Sequence, residues 1–346
     1  MDALRSRRRY AMKYLILGCG PAGIAAAKSI RKAKSDAGIV IAGDELESPY
    51  LRPLLPDFIL GEMDEESVLD PQGKDLHDKR IKVYQGKRAA RLEIGSRKVV
   101  FEDGTQEPYD RLLIATGGKP PAPAPLQRKS EAILSFDSLG DARKIRERAK
   151  VPGAVVVYGP GYLAIEACRA LRKTKKGVVW IRPDLPRHGY PISGELEASI
   201  LDDVRNRGAK IKDGDDIVRA YEGDGGAFVI LTREGGEIHC SMVLVATERV
   251  PAIEFLKGSG VMTETGILVD DFLRTSAPDV YAAGDCAEFV ADRAKGESRI
   301  NFGWRSAIKQ GKLAGENMAG GNGRFGKAQE DYFWVLFGHP LSERSK

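Results

Sequence analysis

Short apolar runs alternate with glycine-rich turns and helical stretches along this chain. Residues 13–17 form an apolar run without turn residues, an alanine-rich helical stretch follows at 24–31, and a second apolar run covers 39–42. Uninterrupted apolar runs of this length are typical of parallel strands that are covered on both faces. The pattern therefore predicts a β–α–β unit at the start of the chain.

The same pattern occurs a second time and so forms an internal repeat. Strands are predicted at 154–158 and 178–181, with a glycine-containing turn after the first, and segments 112–120 and 243–251 match position for position. We therefore predict an α/β fold with two Rossmann-like dinucleotide-binding domains, the second inserted in the first.

The length of the chain also indicates more than one domain. A chain of 346 residues exceeds what one hydrophobic core usually supports, and a proline-rich link at 119–125 marks a boundary. We predict a basic N-terminal arm at 1–11, a discontinuous first domain at 12–119 and 251–325, a second domain at 120–250, and a C-terminal tail at 326–346.

Composition excludes several classes of protein. Hydrophobic residues make up 42% of the chain and charged residues 30%, as in ordinary globular proteins, and no stretch approaches the roughly 18 apolar residues of a membrane span. The net charge of +5 is concentrated near Arg5, Arg7, Arg8 and Arg9, so nothing indicates nucleic-acid binding. Ser6 to Arg8 resembles an export signal, but export would remove the first strand, and a disordered arm is the better interpretation.

The cysteines point away from redox-active pairs and metal sites. They are scattered, without any paired spacing, at Cys19, Cys168, Cys240 and Cys286. This spacing argues against a disulfide framework, an iron–sulfur site and an internal dithiol. We expect no metal and a reducing, cytoplasmic location.

The turn after the first predicted strand has the spacing of a phosphate-binding loop. Gly18 permits the tight turn, Gly20 lets the backbone approach a pyrophosphate, and Gly23 lets helix and strand pack closely. The start of the following helix supplies free N–H groups for the phosphates. Asp44, after the second strand, falls where a carboxylate is expected to meet a ribose hydroxyl.

Further motifs follow in order along the chain. They are Tyr50-Leu51-Arg52-Pro53, then Ala115-Thr116-Gly117 and Gly284-Asp285 after predicted strands, and a helix beginning at Trp304. Together they resemble the pyridine nucleotide–disulfide oxidoreductase superfamily, nearest to the rubredoxin, ferredoxin and nitrite reductase-type NAD(P)H:FAD oxidoreductases. The resemblance implies FAD in the first domain. The FAD-binding residues that it implies are Gly18, Gly20, Pro21, Ala22, Gly23, Asp44, Glu45, Arg52, Pro53, Ala89, Ala115, Thr116, Gly117, Gly284, Asp285 and Trp304.

The second loop predicts a nicotinamide cofactor site that has been altered. Arg182 stands where the first site has a carboxylate, and a guanidinium there suits a 2′-phosphate, which favours NADPH over NADH. Glu248 replaces the counterpart of Gly117, and its bulk and negative charge lower affinity unless it turns away or Arg249 pairs with it. The predicted NAD(P) residues are Gly159, Gly161, Tyr162, Leu163, Arg182, Arg187, His188 and Glu248.

The resemblance also indicates what lies at the reacting rings. The family usually has a glutamate near the meeting point of nicotinamide and flavin, and Glu166 holds that position as the candidate catalytic residue. The helix at 54–60 has no cysteine, so thiol–disulfide chemistry is not expected. The lysine that the reductases of rubredoxin type direct toward flavin N5 is replaced by Asp57, and loss of a cation there is expected to lower the flavin potential.

Two functions remain open at the level of sequence. The first is an FAD-containing oxidoreductase that passes electrons from NAD(P)H, with NADPH favoured, to a carrier such as rubredoxin or ferredoxin. The second is an FAD-bearing electron-transfer subunit of a larger redox complex with a non-functional nicotinamide site. The resemblance implies that most of an interface domain is lacking, and the aromatic residues at 332–337 indicate a tail that packs on its own chain or on a partner, as in an oligomer.

Overall fold

The computed structural model describes residues 12–77, 79–171, 177–185, 194–223, 227–292 and 297–326, with the backbone at 335–336 and 339–340. The helices are α1 Pro21–Ala33, α2 Leu55–Leu60, α3 Glu65–Val68, α4 Pro71–Lys74, α5 Leu139–Arg148, α6 Tyr162–Leu171, α7 Gly194–Asn206 and α8 Trp304–Met318. The strands are β1 Lys13–Leu17, β2 Gly38–Ala42, β3 Ile81–Tyr84, β4 Ala89–Glu93, β5 Lys98–Phe101, β6 Gln106–Pro108, β7 Arg111–Ile114, β8 Gly118–Lys119, β9 Ile133–Ser135, β10 Ala154–Tyr158, β11 Val178–Arg182, β12 Lys210–Asp213, β13 Ile217–Glu222, β14 Phe228–Thr232, β15 Glu237–Val245, β16 Val250–Pro251, β17 Ile267–Val269, β18 Val280–Ala282, β19 Ala287–Asp292, β20 Glu297–Ile300, β21 Val335–Leu336 and β22 His339–Pro340.

The described residues form two compact units. The first comprises those within 1–46, 71–117 and 251–328, and the second those within 47–70, 118–250 and 329–346. Residues 47–70, which include α2 and α3, therefore group with the second unit, whereas the sequence placed them in the first domain. The predicted domain boundaries stay a prediction.

The first unit is built on a parallel sheet in the order β18-β7-β1-β2-β3. Residues 14–17 of β1 are almost completely buried, as the continuous apolar run predicts for a strand covered on both faces. Two small antiparallel or mixed sheets, β4-β5-β6 and β17-β19-β20, complete this unit. The carboxyl ends of β1, β7 and β18 lie side by side, so the loops that follow them share one edge of the sheet.

Helices α1 and α8 of the first unit pack unusually closely. A Cβ atom built on Gly311 of α8 would lie 2.0 Å from the carbonyl oxygen of Ala22 in α1, and one built on Gly315 would lie 2.5 Å from that of Ala26. Only glycine allows such an approach at these two positions. The close packing fixes the middle of α8 against the first turns of α1.

The second unit contains a larger mixed sheet in the order β12-β11-β10-β15-β14-β13, with β9 also paired to β15. Strands β12, β11, β10, β15 and β9 run parallel to one another. Strand β14 pairs antiparallel with β15, and β13 pairs antiparallel with β14. Separate apolar clusters cover the two faces of this sheet. The predicted α/β class with two Rossmann-like folds is confirmed.

Candidate functional sites

The loop between β1 and α1 has the backbone form of a phosphate cradle. A Cβ atom on Gly18, whose φ is +111°, would lie 2.1 Å from the carbonyl oxygen of Ala115, and one on Gly23 would lie 2.0 Å from that of Gly18. By contrast, a Cβ atom on Gly20 would meet nothing within 4 Å. Open space therefore lies in front of Gly20, the residue that precedes α1. The first N–H groups of α1 have no acceptor within the helix and face this end of it. Pro21 and Ala22 form the first turn of α1.

The predicted ribose-binding residues follow β2. The side chain of Asp44 is about one-third exposed and its Oδ2 lies 3.5 Å from Nε of Arg88. The carbonyl oxygen of Glu45 accepts a hydrogen bond of 3.0 Å from the backbone of Gly86, and Ala89 begins β4. Asp44 and Glu45 thus lie at the edge of the sheet where the first loop follows β1, the neighbour of β2.

The turn after β7 is fixed by the chain segment that follows the second unit. The backbone N–H of Ala115 donates to Leu17 (2.7 Å), and the hydroxyl of Thr116 donates to the carbonyl oxygen of Ala252 (2.8 Å). Gly117 has a φ of +63° and accepts a hydrogen bond from the backbone of Ala252. This turn therefore lies against the first loop, as the predicted site requires.

Asp285 lies beside the start of α8. The backbone of Gly303, the residue before the helix, donates to Oδ1 of Asp285 at 3.1 Å. The backbone of Gly284 donates to the side chain of Gln310 at 2.8 Å, and the amide of Gln310 donates in turn to the carbonyl oxygen of Asn301 at 3.2 Å. The predicted residues Gly284 and Asp285 thus belong to one hydrogen-bonded corner at the start of α8, the helix that begins with Trp304.

This corner contains a buried donor that suits a bound cofactor. Nδ2 of Asn301 is buried and has no hydrogen-bond partner among the residues that the structure describes. Such a group costs about 1–3 kcal/mol unless a ligand or water accepts from it. FAD is rich in acceptors, in its phosphates, ribityl hydroxyls and ring carbonyls, so the first unit fits FAD. Sequence reasoning missed Asn301 and Gln310, although Gln310 is a polar residue on the small, buried face of α8 formed with Ala307, Gly311 and Ala314.

Arg52 and Pro53 lie in the second unit. Nη1 of Arg52 is 3.0 Å from Oδ1 of Asp137, and its guanidinium lies 5.3 Å from the ring centre of Tyr50. Arg249 also forms an ion pair with Asp137 and donates to the carbonyl oxygen of Gly118. Two arginines therefore share one carboxylate, and the assignment of Arg52 and Pro53 to FAD stays a prediction.

The loop after β10 repeats the cradle of the first site. A Cβ atom on Gly159 would lie 2.0 Å from the carbonyl oxygen of Ala246, and Nε1 of the buried Trp180 donates to the carbonyl oxygen of Gly159 at 2.9 Å. The carbonyl oxygen of Gly161 accepts from the backbone of Ala164 in α6, the helix that begins with Tyr162 and Leu163. The fold of the loop is consistent with dinucleotide binding.

Arg182, at the end of β11, is engaged by carboxylates of its own unit. It is only 5% exposed, its Nη1 lies 2.8 Å from Oδ1 of Asp213, and its Nη2 forms an ion pair with Glu197 of α7. Its Nε also donates to the carbonyl oxygen of Pro160 in the loop, at 3.3 Å. Two carboxylates thus offset the positive charge that the sequence analysis assigned to a 2′-phosphate. Arg187 and His188, its predicted companions, lie outside the described residues.

Glu248 follows β15, where the repeat has Gly117. The adjacent Thr247 is buried and donates its hydroxyl hydrogen to the carbonyl oxygen of Pro121 at 2.7 Å. Glu248 itself is partly exposed, and Arg249 forms its ion pair with Asp137. A carboxylate therefore stands at the edge of the sheet beside the second loop.

Glu166 lies in α6 and its side chain is buried. Its Oε2 accepts hydrogen bonds from Arg169 at 2.9 Å and 3.1 Å, and Arg169 also contacts Asp57 of α2. Sequence reasoning identified Glu166 and Asp57 but missed Arg169, which only the i,i+3 spacing from Glu166 could have indicated.

Neither a metal site nor a membrane helix is found in the part of the chain that the structure describes. No group of His, Cys, Asp and Glu residues there is arranged to hold a metal ion. No helix there is both long enough and apolar enough to cross a membrane.

Comparison with known proteins agrees with the two dinucleotide folds. The sequence profile of the family described as "Pyridine nucleotide-disulphide oxidoreductase" matches residues 12–311. A NADH-rubredoxin oxidoreductase of Clostridium acetobutylicum is 30% identical over 317 residues, which is 89% of this chain and 75% of that protein. The epsilon subunit of NADH-dependent phenylglyoxylate dehydrogenase of Aromatoleum evansii is 29% identical over 314 residues, covering 90% and 73% of the two chains. The solved structure of the ferredoxin reductase for the CYP199A2 system of Rhodopseudomonas palustris superposes with a TM-score of 0.80 at 25% identity, covering 91% and 78%.

Proposed function

The chain belongs to the pyridine nucleotide-disulphide oxidoreductase family, and from this premise we propose that it is an FAD-dependent NAD(P)H oxidoreductase. Electrons pass from the nicotinamide through the flavin to a small protein carrier such as rubredoxin or ferredoxin. The observation that carries this proposal is the presence of two glycine cradles, each at the carboxyl ends of the parallel strands of its own sheet. The relatives named as reductases of rubredoxin and ferredoxin support the choice of carrier.

In the first unit the chain's own groups bind and orient FAD. The N–H groups at the start of α1 receive the pyrophosphate in the space before Gly20, and Asp44 accepts hydrogen bonds from a ribose. Asp285 and Asn301 offer an acceptor and a donor at the start of α8. When bound, nicotinamide and flavin supply the hydride and electron-transfer chemistry, while these residues position the rings.

The choice between NADPH and NADH depends on Arg182. Arg182 at the usual carboxylate position leads to the prediction of NADPH from the sequence, and that prediction is not tested. The contacts of Arg182 in the structure instead support NADH. Binding a 2′-phosphate would require the buried guanidinium to exchange its ion pairs with Glu197 and with the exposed Asp213 for the phosphate, while both carboxylates repel that phosphate. We therefore propose NADH as the preferred donor, as in the name of the clostridial relative.

Anaerobic mixing of the FAD-loaded protein with NADH and with NADPH tests both points. We expect bleaching of the flavin absorbance by NADH, with a higher ratio of rate to half-saturating concentration than for NADPH. In the variant Glu197→Gln, Arg182 loses a negative partner, and the ratio is expected to move toward NADPH by about tenfold, the equivalent of one charge-assisted hydrogen bond. Absence of bleaching by either nicotinamide would refute the enzyme function.

A second function has a specific observation in its favour. Glu248 replaces a glycine beside the second loop, and one relative is a named subunit of a larger dehydrogenase. An FAD-bearing electron-transfer subunit with a non-functional nicotinamide site is therefore the alternative proposal. In that case the purified protein retains FAD, is not reduced by either nicotinamide, and copurifies with a redox partner. Contact with an oligomer partner through the tail, and the cytoplasmic location, stay predictions.

A further inference from the structure

Three charged side chains of the second unit form a compact cluster that the proposed reaction has not yet used. Arg169 of α6 places its Nη1 2.5 Å from Oδ1 of Asp57 and its Nη2 2.9 Å from Oε2 of Glu166. All three side chains are largely buried, with exposed fractions of 17%, 24% and 9% in the same order. One guanidinium therefore bridges two carboxylates that come from different helices.

The cluster needs its cation because of where the carboxylates lie. Two carboxylates that reach the same guanidinium repel each other, and burial weakens the screening of that repulsion by water. Removing one partner from a buried ion pair is strongly destabilising, since the charge that stays behind loses a compensating charge. Removal of Arg169 would take this cation away from both Asp57 and Glu166.

The position of Glu166 connects the cluster to the second dinucleotide loop. The carbonyl oxygen of Gly161, in that loop, accepts hydrogen bonds from the backbones of Ala164 and Ile165, so α6 starts directly from the loop. Glu166 is the next residue and lies within the first turns of the helix. Its i,i+3 ion pair with Arg169 fixes the direction of its side chain on the helix surface.

The sequence shows a matching change at position 57. Asp57 stands where the resemblance leads one to expect a lysine, so a cation is lost at that position. The structure shows Arg169 in direct contact with both Asp57 and Glu166. The cation is thus present in the same cluster, but on α6 instead of α2.

We propose that Arg169 is a positioning residue of the nicotinamide site, which holds Glu166 in place and supplies the positive charge that position 57 lacks. This inference rests on the proposed oxidoreductase function. It assigns Arg169 no contact with the cofactor. Its effect on nicotinamide binding passes through Glu166.

Relocation of the charge tests the proposal. In Arg169→Ala, the dissociation constant for NAD⁺, measured by calorimetry on the oxidised FAD protein, is expected to rise by about tenfold or more, and the rate of flavin reduction by NADH to fall. Arg169→Lys is expected to recover part of the binding. The double variant Asp57→Lys/Arg169→Ala returns a cation to position 57 beside Glu166 and is expected to bind at least fivefold more tightly than Arg169→Ala.

Arg146→Ala serves as the matched control. The guanidinium of Arg146, on α5, lies 4.4 Å from the ring centre of Phe58, which follows Asp57 in the sequence. The variant Arg146→Ala is expected to keep a dissociation constant for NAD⁺ within twofold of the wild-type value. The variants are compared as folded protein at equal FAD content. If Arg169 has only a structural role, neither Arg169→Lys nor the double variant recovers nicotinamide binding, and that result overturns the proposal. Unchanged binding in Arg169→Ala also overturns it. A wild-type protein that neither binds nor is reduced by a nicotinamide overturns the proposed function and, with it, this role.

Discussion

Two glycines of the first loop, only three positions apart, are expected to fail in different ways when each is replaced by alanine. Gly20→Ala adds a methyl group to open space, since nothing lies within 4 Å of its Cβ position and its φ of −84° is ordinary for alanine. Gly23→Ala places the methyl group 2.0 Å from the carbonyl oxygen of Gly18. The first change therefore alters only the space reserved for FAD, and the second alters the fold of the loop.

The magnitudes follow from these distances. The methyl group in Gly23→Ala must move by about 1 Å or more to reach an ordinary contact, and overpacking of this kind costs roughly 1–3 kcal/mol of the free energy of unfolding. Gly20→Ala is expected to change that free energy by no more than about 0.5 kcal/mol in the apoprotein. If its methyl group removes one hydrogen bond between a phosphate and α1, about 1.5–3 kcal/mol of binding is lost, which weakens FAD binding roughly 10- to 150-fold.

The assay separates the two effects by measuring them on different states. Urea unfolding of the apoproteins gives the free energy of unfolding without the stabilisation that bound FAD adds. Titration of each apoprotein with FAD, followed by flavin fluorescence, gives the dissociation constant. We expect Gly20→Ala to be as stable as the wild type with weak FAD binding, and Gly23→Ala to be clearly less stable.

Two results would contradict this reasoning. FAD binding by Gly20→Ala within twofold of the wild type would mean that the pyrophosphate does not lie in the space before Gly20. Equal losses of stability in both variants would mean that this space is not open in the folded apoprotein.

Three further predictions concern stability and reactivity. The carboxyl of Asp215 has a pKa of about 2, because hydrogen bonds from Thr232, Lys212 and the backbone outweigh the effect of burial, which raises it. Since this pKa lies below its value in the unfolded chain, the carboxylate contributes roughly 2 kcal/mol to the free energy of unfolding. This contribution is complete above about pH 4 and is lost as the pH falls toward 2. Asp215→Asn is expected to remove that part of the pH dependence of unfolding. Burial raises the pKa of the Cys240 thiol to about 12 and that of the Cys286 thiol to about 11, and it also raises the pKa of the Cys168 thiol. Iodoacetamide at neutral pH is therefore expected to label Cys19 first, as peptide mass spectrometry would show. Gly311→Ala is expected to destabilise the first unit by about 1–3 kcal/mol or more by separating α8 from α1, whereas Gly326→Ala, where a Cβ meets nothing, is expected to have little effect in the same unfolding assay.

Local sequence determined the two dinucleotide folds and their loops. A buried parallel strand needs a continuous apolar run, and a tight turn under a helix N-terminus needs glycine at fixed positions, because a Cβ atom would strike the backbone there. Both requirements act within a few residues of the chain. For this reason the loops at Gly18 and Gly159 could be found without any tertiary information.

The charges of the sites depended on contacts between distant parts of the chain. Arg182 suggested a free cation for a 2′-phosphate, but Glu197 and Asp213, from elements 15 and 31 residues away, pair with it. Asp57 suggested a missing cation, but Arg169, 112 residues away, supplies one. The sequence by itself determined where each site is formed, because backbone sterics are local. Only the tertiary structure decided its charge, because a charged side chain is compensated by whichever residues the fold brings within a few ångströms of it.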